Sequence, residues 1–179
     1  GRNDLSGQST VVELKKAITE LPLEFFKKNP SAQLVIYYTG HSFEKKLQLG
    51  SAQEIAEAKD IAGWLDDLQA QTKLKKIVVI IDGSRSGSFV DDLAGEGRTI
   101  ITSTDSVKTV NFESDGRQSF TQFFSQRVAL GHSIAESFTL AEEVFVGLEA
   151  PFDLQPRLES DGNGTPNQET DLQIASQLF

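Results

Sequence analysis

The sequence predicts an α/β fold: a three-layer α/β/α sandwich on a mostly parallel central sheet. Three observations carry this. Short runs rich in β-branched and aromatic residues (34–39, 76–82 and 98–102) alternate with amphipathic helical stretches, the pattern of strand–helix–strand units. The second run, Lys76-Ile77-Val78-Val79-Ile80-Ile81-Asp82, is apolar throughout between its end residues, as in a strand covered on both faces. Each run ends in small or polar residues: Gly40-His41-Ser42, then Gly83-Ser84-Arg85-Ser86-Gly87, then Ser103-Thr104-Asp105-Ser106. In a parallel sheet these ends gather along one edge, where open α/β proteins bind their ligands.

The elements follow in order. Residues 1–9 are polar and read as loop. Thr10-Val11-Val12-Glu13 is a capping-box pattern, and Val11, Leu14, Ala17, Ile18 and Leu21 continue it at helical spacing. Pro22 ends or restarts that helix, Phe25 and Phe26 are expected under the sheet, and Asn29-Pro30-Ser31 is a turn. Residues 34–39 form the first buried strand. Lys46-Leu47-Gln48-Leu49 alternates as a small β-ribbon would. Residues 60–71 read as a helix with Ile61, Trp64, Leu65 and Leu68 on one face, Trp64 as a core residue. Residues 76–82 are the second strand, 88–93 a short helix and 98–102 the third strand. Residues 119–130 form a helix with Phe120, Phe123, Phe124 and Val128 inward. Gly131 and His132 break the chain before a last long helix over 133–146, whose stripe is Ile134, Phe138, Ala141, Val144 and Phe145. Residues 147–179 are rich in Pro, Gly, Asn, Gln and Asp and read as an irregular surface tail with a short element near 172–179.

Composition narrows the function. The 179 residues suit a single domain spanning 1–179. The absence of Met and the start at Gly1-Arg2-Asn3-Asp4 suggest a fragment of a longer chain. The net charge of −9 argues against nucleic acid as a partner. No apolar run approaches the ~18 residues of a spanning helix, so no membrane partner is expected. With no cysteine and only His41 and His132, thiolate and histidine-rich metal sites are excluded. No cofactor is expected and no metal is assigned to the site. Compartment is not legible.

Ser84 at a strand end raises the question of a nucleophile. The elbow of α/β hydrolases is Gly-x-Ser-x-Gly; here the flanking positions are Asp82 and Ser86, and the histidine precedes the serine. That pattern fails. A different one fits. Tyr37-Tyr38-Thr39-Gly40-His41 ends one strand, and Asp82-Gly83-Ser84-Arg85-Ser86-Gly87 ends the next. This resembles the caspase clan of cysteine peptidases (caspases, metacaspases, legumain, clostripain, gingipains), bacterial type. There a strand ends in Gly-His and the following one in Asp-Ala/Ser-Cys-x-Ser-Gly. Residues 98–105 look like the clan's next strand and pocket loop, Ser119-Phe120-Thr121 like the start of the following helix. Gln155-Pro156-Arg157-Leu158 and Asp161-Gly162-Asn163-Gly164 resemble the tail of bacterial members. The resemblance spans about residues 8–165.

The resemblance implies a caspase-like fold and an endopeptidase acting on peptide or protein substrates. His41 would be the general acid/base and Ser84 would occupy the nucleophilic Cys position. The backbone N–H groups of Ser84 and of Gly40 or Ser42 would bind the oxyanion. Asp82 and Asp105 would line the pocket for the side chain before the cut, two carboxylates favouring Arg or Lys. Against this stand plainer roles, Asp82 capping its own loop and Asp105 lying in solvent or capping a helix. Three departures are visible. Ser84 replaces the Cys, either as a deliberate change or as a natural pseudoenzyme acting as a peptide-binding or scaffolding module. Ser42 stands where the clan has Gly. The clan's first central strand has no counterpart before residue 11, and a separately cleaved chain is one possible source of it. Finally, Glu159, Asp161, Asn163 and Gly164 match positions one, three, five and six of an EF-hand calcium loop, but position twelve is Thr170 and the Glu falls one early, at Glu169. A looser acidic calcium site stays open.

Overall fold

A computed structural model of the chain describes residues 7–50, 53–109, 119–145 and 154–178. Its main sheet has the order β1-β5-β6-β7, with β1 Leu34–Thr39, β5 Ile77–Asp82, β6 Arg98–Thr102 and β7 Arg157–Glu159. The first three strands are parallel and β7 is antiparallel to β6. A separate three-stranded ribbon is built from β2 Ser42–Phe43, β3 Lys46–Leu49 and β4 Glu54–Glu57.

Helices cover both faces. α1 Val11–Thr19, α2 Leu23–Lys28, α3 Ala58–Thr72 and α4 Val90–Leu93 lie on one side; α5 Phe120–Ala129, α6 Ile134–Phe145 and α7 Glu169–Ala175 lie on the other. The alternation of strand side chains decides which core each residue joins. Ile77, Val79, Ile81 and Ile100 pack with Ile61, Leu65 and Leu68, whereas Val78, Ile80 and Ile101 pack with Phe120, Phe124, Phe138 and Ala141. All six residues of β5 are buried, as its unbroken apolar run predicts. The three-layer sandwich with a mostly parallel sheet is therefore present.

Several expectations need correction. β1 is not buried on both faces: it is an edge strand, and Val35 and Tyr37 are about half exposed. Of Phe25 and Phe26 only Phe26 reaches the core. α1 stops at Thr19, leaving Leu21 exposed. Its N-cap makes one arm of the capping box: Thr10 Oγ1 accepts from the Glu13 N–H, but the Thr10 N–H goes to the Gln8 carbonyl. Trp64 is only partly buried, packed against the core, and Val144 faces outward. The largest correction concerns the tail. Within residues 154–178, β7 adds to the central sheet and α7 packs over it, with Leu158, Asp171 and Ala175 fully buried. Asp171, in the first turn of α7, accepts from the Gln168 N–H at the helix start and from the Ser160 and Asp161 N–H groups after β7, tying the polar segment together.

Candidate active site

The pairing of β1 with β5 brings the two motifs together. In their parallel register Thr39 lies opposite Asp82, and neighbouring strands are ~4.8 Å apart. The segments that follow, 40–42 and 83–84, are in contact. Two bonds bind the loops across this gap. The Gly40 N–H donates to the Asp82 carbonyl at 3.2 Å, and Ser42 Oγ donates to the Ser84 carbonyl at 2.7 Å. The Gly40 N–H is thus engaged by the sheet.

Gly83 is forced by this proximity. A Cβ there would sit 2.3 Å from Ser42 Oγ and 2.8 Å from the Gly40 carbonyl oxygen. Ser42, 5 % exposed, fills the space that a side chain at position 83 would need. His41 is exposed and Ser84 half-buried. The His41 backbone is held from below: the Tyr38 hydroxyl lies 2.6 Å from the His41 carbonyl and 2.8 Å from that of Gln48, one proton shared between two acceptors. Gly40 makes room for this, since a Cβ there, at φ +155°, would meet the Tyr38 hydroxyl at 2.9 Å.

The loop after β5 is tied to the end of β6. Ser103 Oγ accepts from the Gly83 N–H, Thr104 Oγ1 donates to the Gly83 carbonyl and accepts from the Ser86 N–H, and the Gly87 N–H reaches the Asp105 carbonyl. Arg85 takes a left-handed conformation, φ 56°, and its N–H donates to the Lys108 carbonyl at 2.7 Å. A non-glycine residue in that region carries a backbone cost, which these bonds hold in place. The Ser84 peptide is therefore presented by a fixed loop rather than a flexible one.

Asp82 is 1 % exposed and points to the α5 side of the sheet. Its Oδ2 accepts from Thr121 Oγ1, on the first turn of α5, while Oδ1 has no hydrogen-bond partner among the described residues. Tyr37 stands beside it. Burial, and in smaller part the Asp82 charge, push the Tyr37 phenol up from its usual range against hydrogen bonding with Thr39 and Thr121. The N-terminal end of α5 favours a negative charge at this place. Asp105 has a different task. Its Oδ1 accepts from the Val107 and Lys108 N–H groups at 2.8 and 2.7 Å, shaping the loop that it begins.

His132 lies in the turn before α6, with its Nδ1 3.7 Å from Glu136 Oε2. The supporting residues that sequence reading missed are Tyr38, Ser103, Thr104 and Thr121. Each is a hydroxyl one or two residues from a strand or helix end, and only the folded chain shows its partner.

A parallel strand pair ending in Gly-His and in Asp-Gly-Ser-Arg-Ser-Gly, with these loops bonded to each other, fits a caspase-clan cysteine peptidase-like domain. Residues 8–133 match the model of the peptidase C13 family, and the chain belongs to that family. The match includes both motifs and α5; residues 134–165, where the resemblance was also expected, lie outside it. No curated protein matches the chain.

Proposed function

We propose that this domain is the catalytic core of a cysteine endopeptidase that cuts after Arg or Lys, with Ser84 at the nucleophile position rendering this form inactive. The observation that carries the specificity is Asp82: a buried carboxylate two residues before Ser84, with one oxygen lacking a partner among the described residues. A buried unpaired carboxylate oxygen is costly, and a guanidinium or ammonium from the substrate offsets that cost with a charge-assisted bond. Asp105, whose Oδ1 is engaged by its own loop, contributes less.

In this reading a thiolate at position 84 attacks the scissile carbonyl. The N–H groups of Ser84 and Ser42 stabilise the oxyanion, and His41 protonates the leaving amine. A hydroxyl at position 84 needs a tightly aligned base to become nucleophilic. An exposed histidine held through its backbone supports leaving-group protonation better than that alignment.

Restoring the thiol tests this. Ser84→Cys protein is assayed against peptide reporters ending in Arg, Lys, Asn or Asp. Cleavage after Arg and Lys is expected; cleavage after Asp or Asn alone refutes the basic pocket. A folded Ser84→Cys protein that cuts none of them favours the second reading, a natural pseudoenzyme that binds peptides in the same cleft. The observation favouring that reading is Ser84 itself, and the genomic codon at position 84 separates the two.

We also propose that the missing strand adds to the free edge of β1, from a separately cleaved chain or another segment. The Leu34 and Gly40 N–H groups bond to β5, so by alternation the backbone groups of Val35, Tyr37 and Thr39 face away from it. β1 has no charge or Pro to block pairing. An apolar groove of about 210 Å³ runs alongside it, lined by Val35, Val78, Ile80, Phe124, Val128 and Ile134 among others.

A further inference from the structure

We propose that Glu159, Asp161 and Asp171 form a calcium site at the far end of the sheet, remote from the Ser84 loop. One carboxylate oxygen from each lies within 4.8 Å of the others. Glu159 ends β7 and is 0 % exposed; Asp171, in the first turn of α7, is also 0 % exposed. Three acidic groups converge here, and none of the ion pairs among the described residues involves them.

Hydrogen bonds account for most of the carboxylate oxygens. Glu159 Oε1 accepts from the Gly162 and Gly164 N–H groups at 2.7 and 3.3 Å. Asp171 Oδ1 accepts from Ser160 and Asp161, and its Oδ2 from the Gln168 N–H. Asp161 Oδ1 accepts from the Asn163 N–H, and its Oδ2 from Asn163 Nδ2 and Thr170 Oγ1. Glu159 Oε2 is the exception: it is buried and has no hydrogen-bond partner among the described residues. An acceptor-only oxygen, enclosed beside two further carboxylates, calls for a positive ligand. The other oxygens keep lone pairs after their N–H bonds, so those bonds and a cation are compatible.

The donor set identifies the cation. All three ligands are hard carboxylate oxygens, and they come from a strand end, a turn and a helix start rather than from a symmetric cage. Calcium accepts irregular sets of six to eight oxygens, completed by carbonyls and water, whereas magnesium demands near-ideal octahedral geometry. The arrangement is strand–loop–helix, not the helix–loop–helix of an EF-hand. Asp171 supplies the last carboxylate, and Thr170, at the EF-hand's twelfth position, bonds to Asp161 instead.

The site is independent of the peptidase reading. Glu159 lies opposite Ile100, the middle residue of β6, and the turn after it packs at Gly162 against Gly95 and Glu96, ahead of that strand, while the Ser84 loop meets the other end of β6 at Ser103 and Thr104. Its role is to clamp β7 and α7 onto the sheet. The test is calorimetric titration of chelator-stripped protein with calcium chloride, alongside thermal melting with and without calcium. One calcium per chain is expected, with Kd on the order of 10⁻⁵ to 10⁻³ M, a higher Tm with calcium, and a weaker response to magnesium. Glu159→Gln should abolish binding. Asp161→Asn, at a half-exposed position that tolerates the change, should weaken it by about tenfold or more. Absence of heat and of any Tm shift at millimolar calcium overturns the proposal. So does calcium binding that is unchanged in both variants.

Discussion

At the scale of single residues, Ser42 and Gly83 share one small volume between β1 and β5. Relatives of the clan pair Gly after the histidine with Ala or Ser before the nucleophile; this chain reverses the two. The departure at Ser42 is therefore compensated at Gly83, whose absent Cβ would overlap Ser42 Oγ. Gly83→Ala should destabilise by about 1–3 kcal/mol through overpacking. Ser42→Gly in the same chain should recover part of that loss, a coupling of roughly 1 kcal/mol or more read from urea midpoints in a double-mutant cycle. Strictly additive effects would show that the two side chains do not compete. Both residues are legible in the sequence as members of the motif. Their exchange is not, because nothing in linear order says that positions 42 and 83 are in contact.

Among the elements, β1 shows how pattern alone misleads. Five apolar and aromatic residues in a row, Leu34 to Tyr38, read as a strand covered on both faces, yet Val35 and Tyr37 on one face are about half exposed, and β1 is an edge strand among the described residues. If that edge is free, the amides of Val35, Tyr37 and Thr39 exchange hydrogen much faster than those of Ile36 and Tyr38, which face β5. NMR-detected exchange measures this directly, and equal protection of both sets would mean that the edge is already covered. β7 errs in the opposite direction. Its three residues sit among Pro, Gly, Asn and Asp, too short to generate a periodic signal, and only pairing with β6 makes them a strand. α5, by contrast, is legible from its Phe spacing and its Ser119 cap, which accepts from the Gln122 N–H. Its role in placing Thr121 against Asp82 is not.

For the molecule as a whole, the two cores are joined to their covering helices by packing, and Arg98 adds charge. Arg98, 3 % exposed at the start of β6, bonds to Asp66 and Gln69 of α3 and to the Leu93 carbonyl at the end of α4. One guanidinium thus links the sheet to two helices. Arg98→Ala leaves the Leu93 carbonyl, in a buried residue, without this donor and should lower stability by about 1–3 kcal/mol, measured by urea denaturation. Asp66→Ala should cost less, because that side chain is 72 % exposed and water screens its charge. Equal losses would place the energy in the ion pair rather than in the buried hydrogen bonds.

By itself the sequence determined the local elements, the order of the strands that carry the motifs, and the identity of His41, Ser84 and Asp82 as residues at strand ends. These depend on periodicity and on turn chemistry, which are short-range. The tertiary structure alone decided which described strand lies at the edge, that residues 157–159 add to the sheet, that Asp82 meets Thr121 through one oxygen while the other has no partner among the described residues, and that Glu159 meets Asp171. Each of these is a contact between positions far apart in the chain, set by the packing of the layers rather than by any neighbour in sequence.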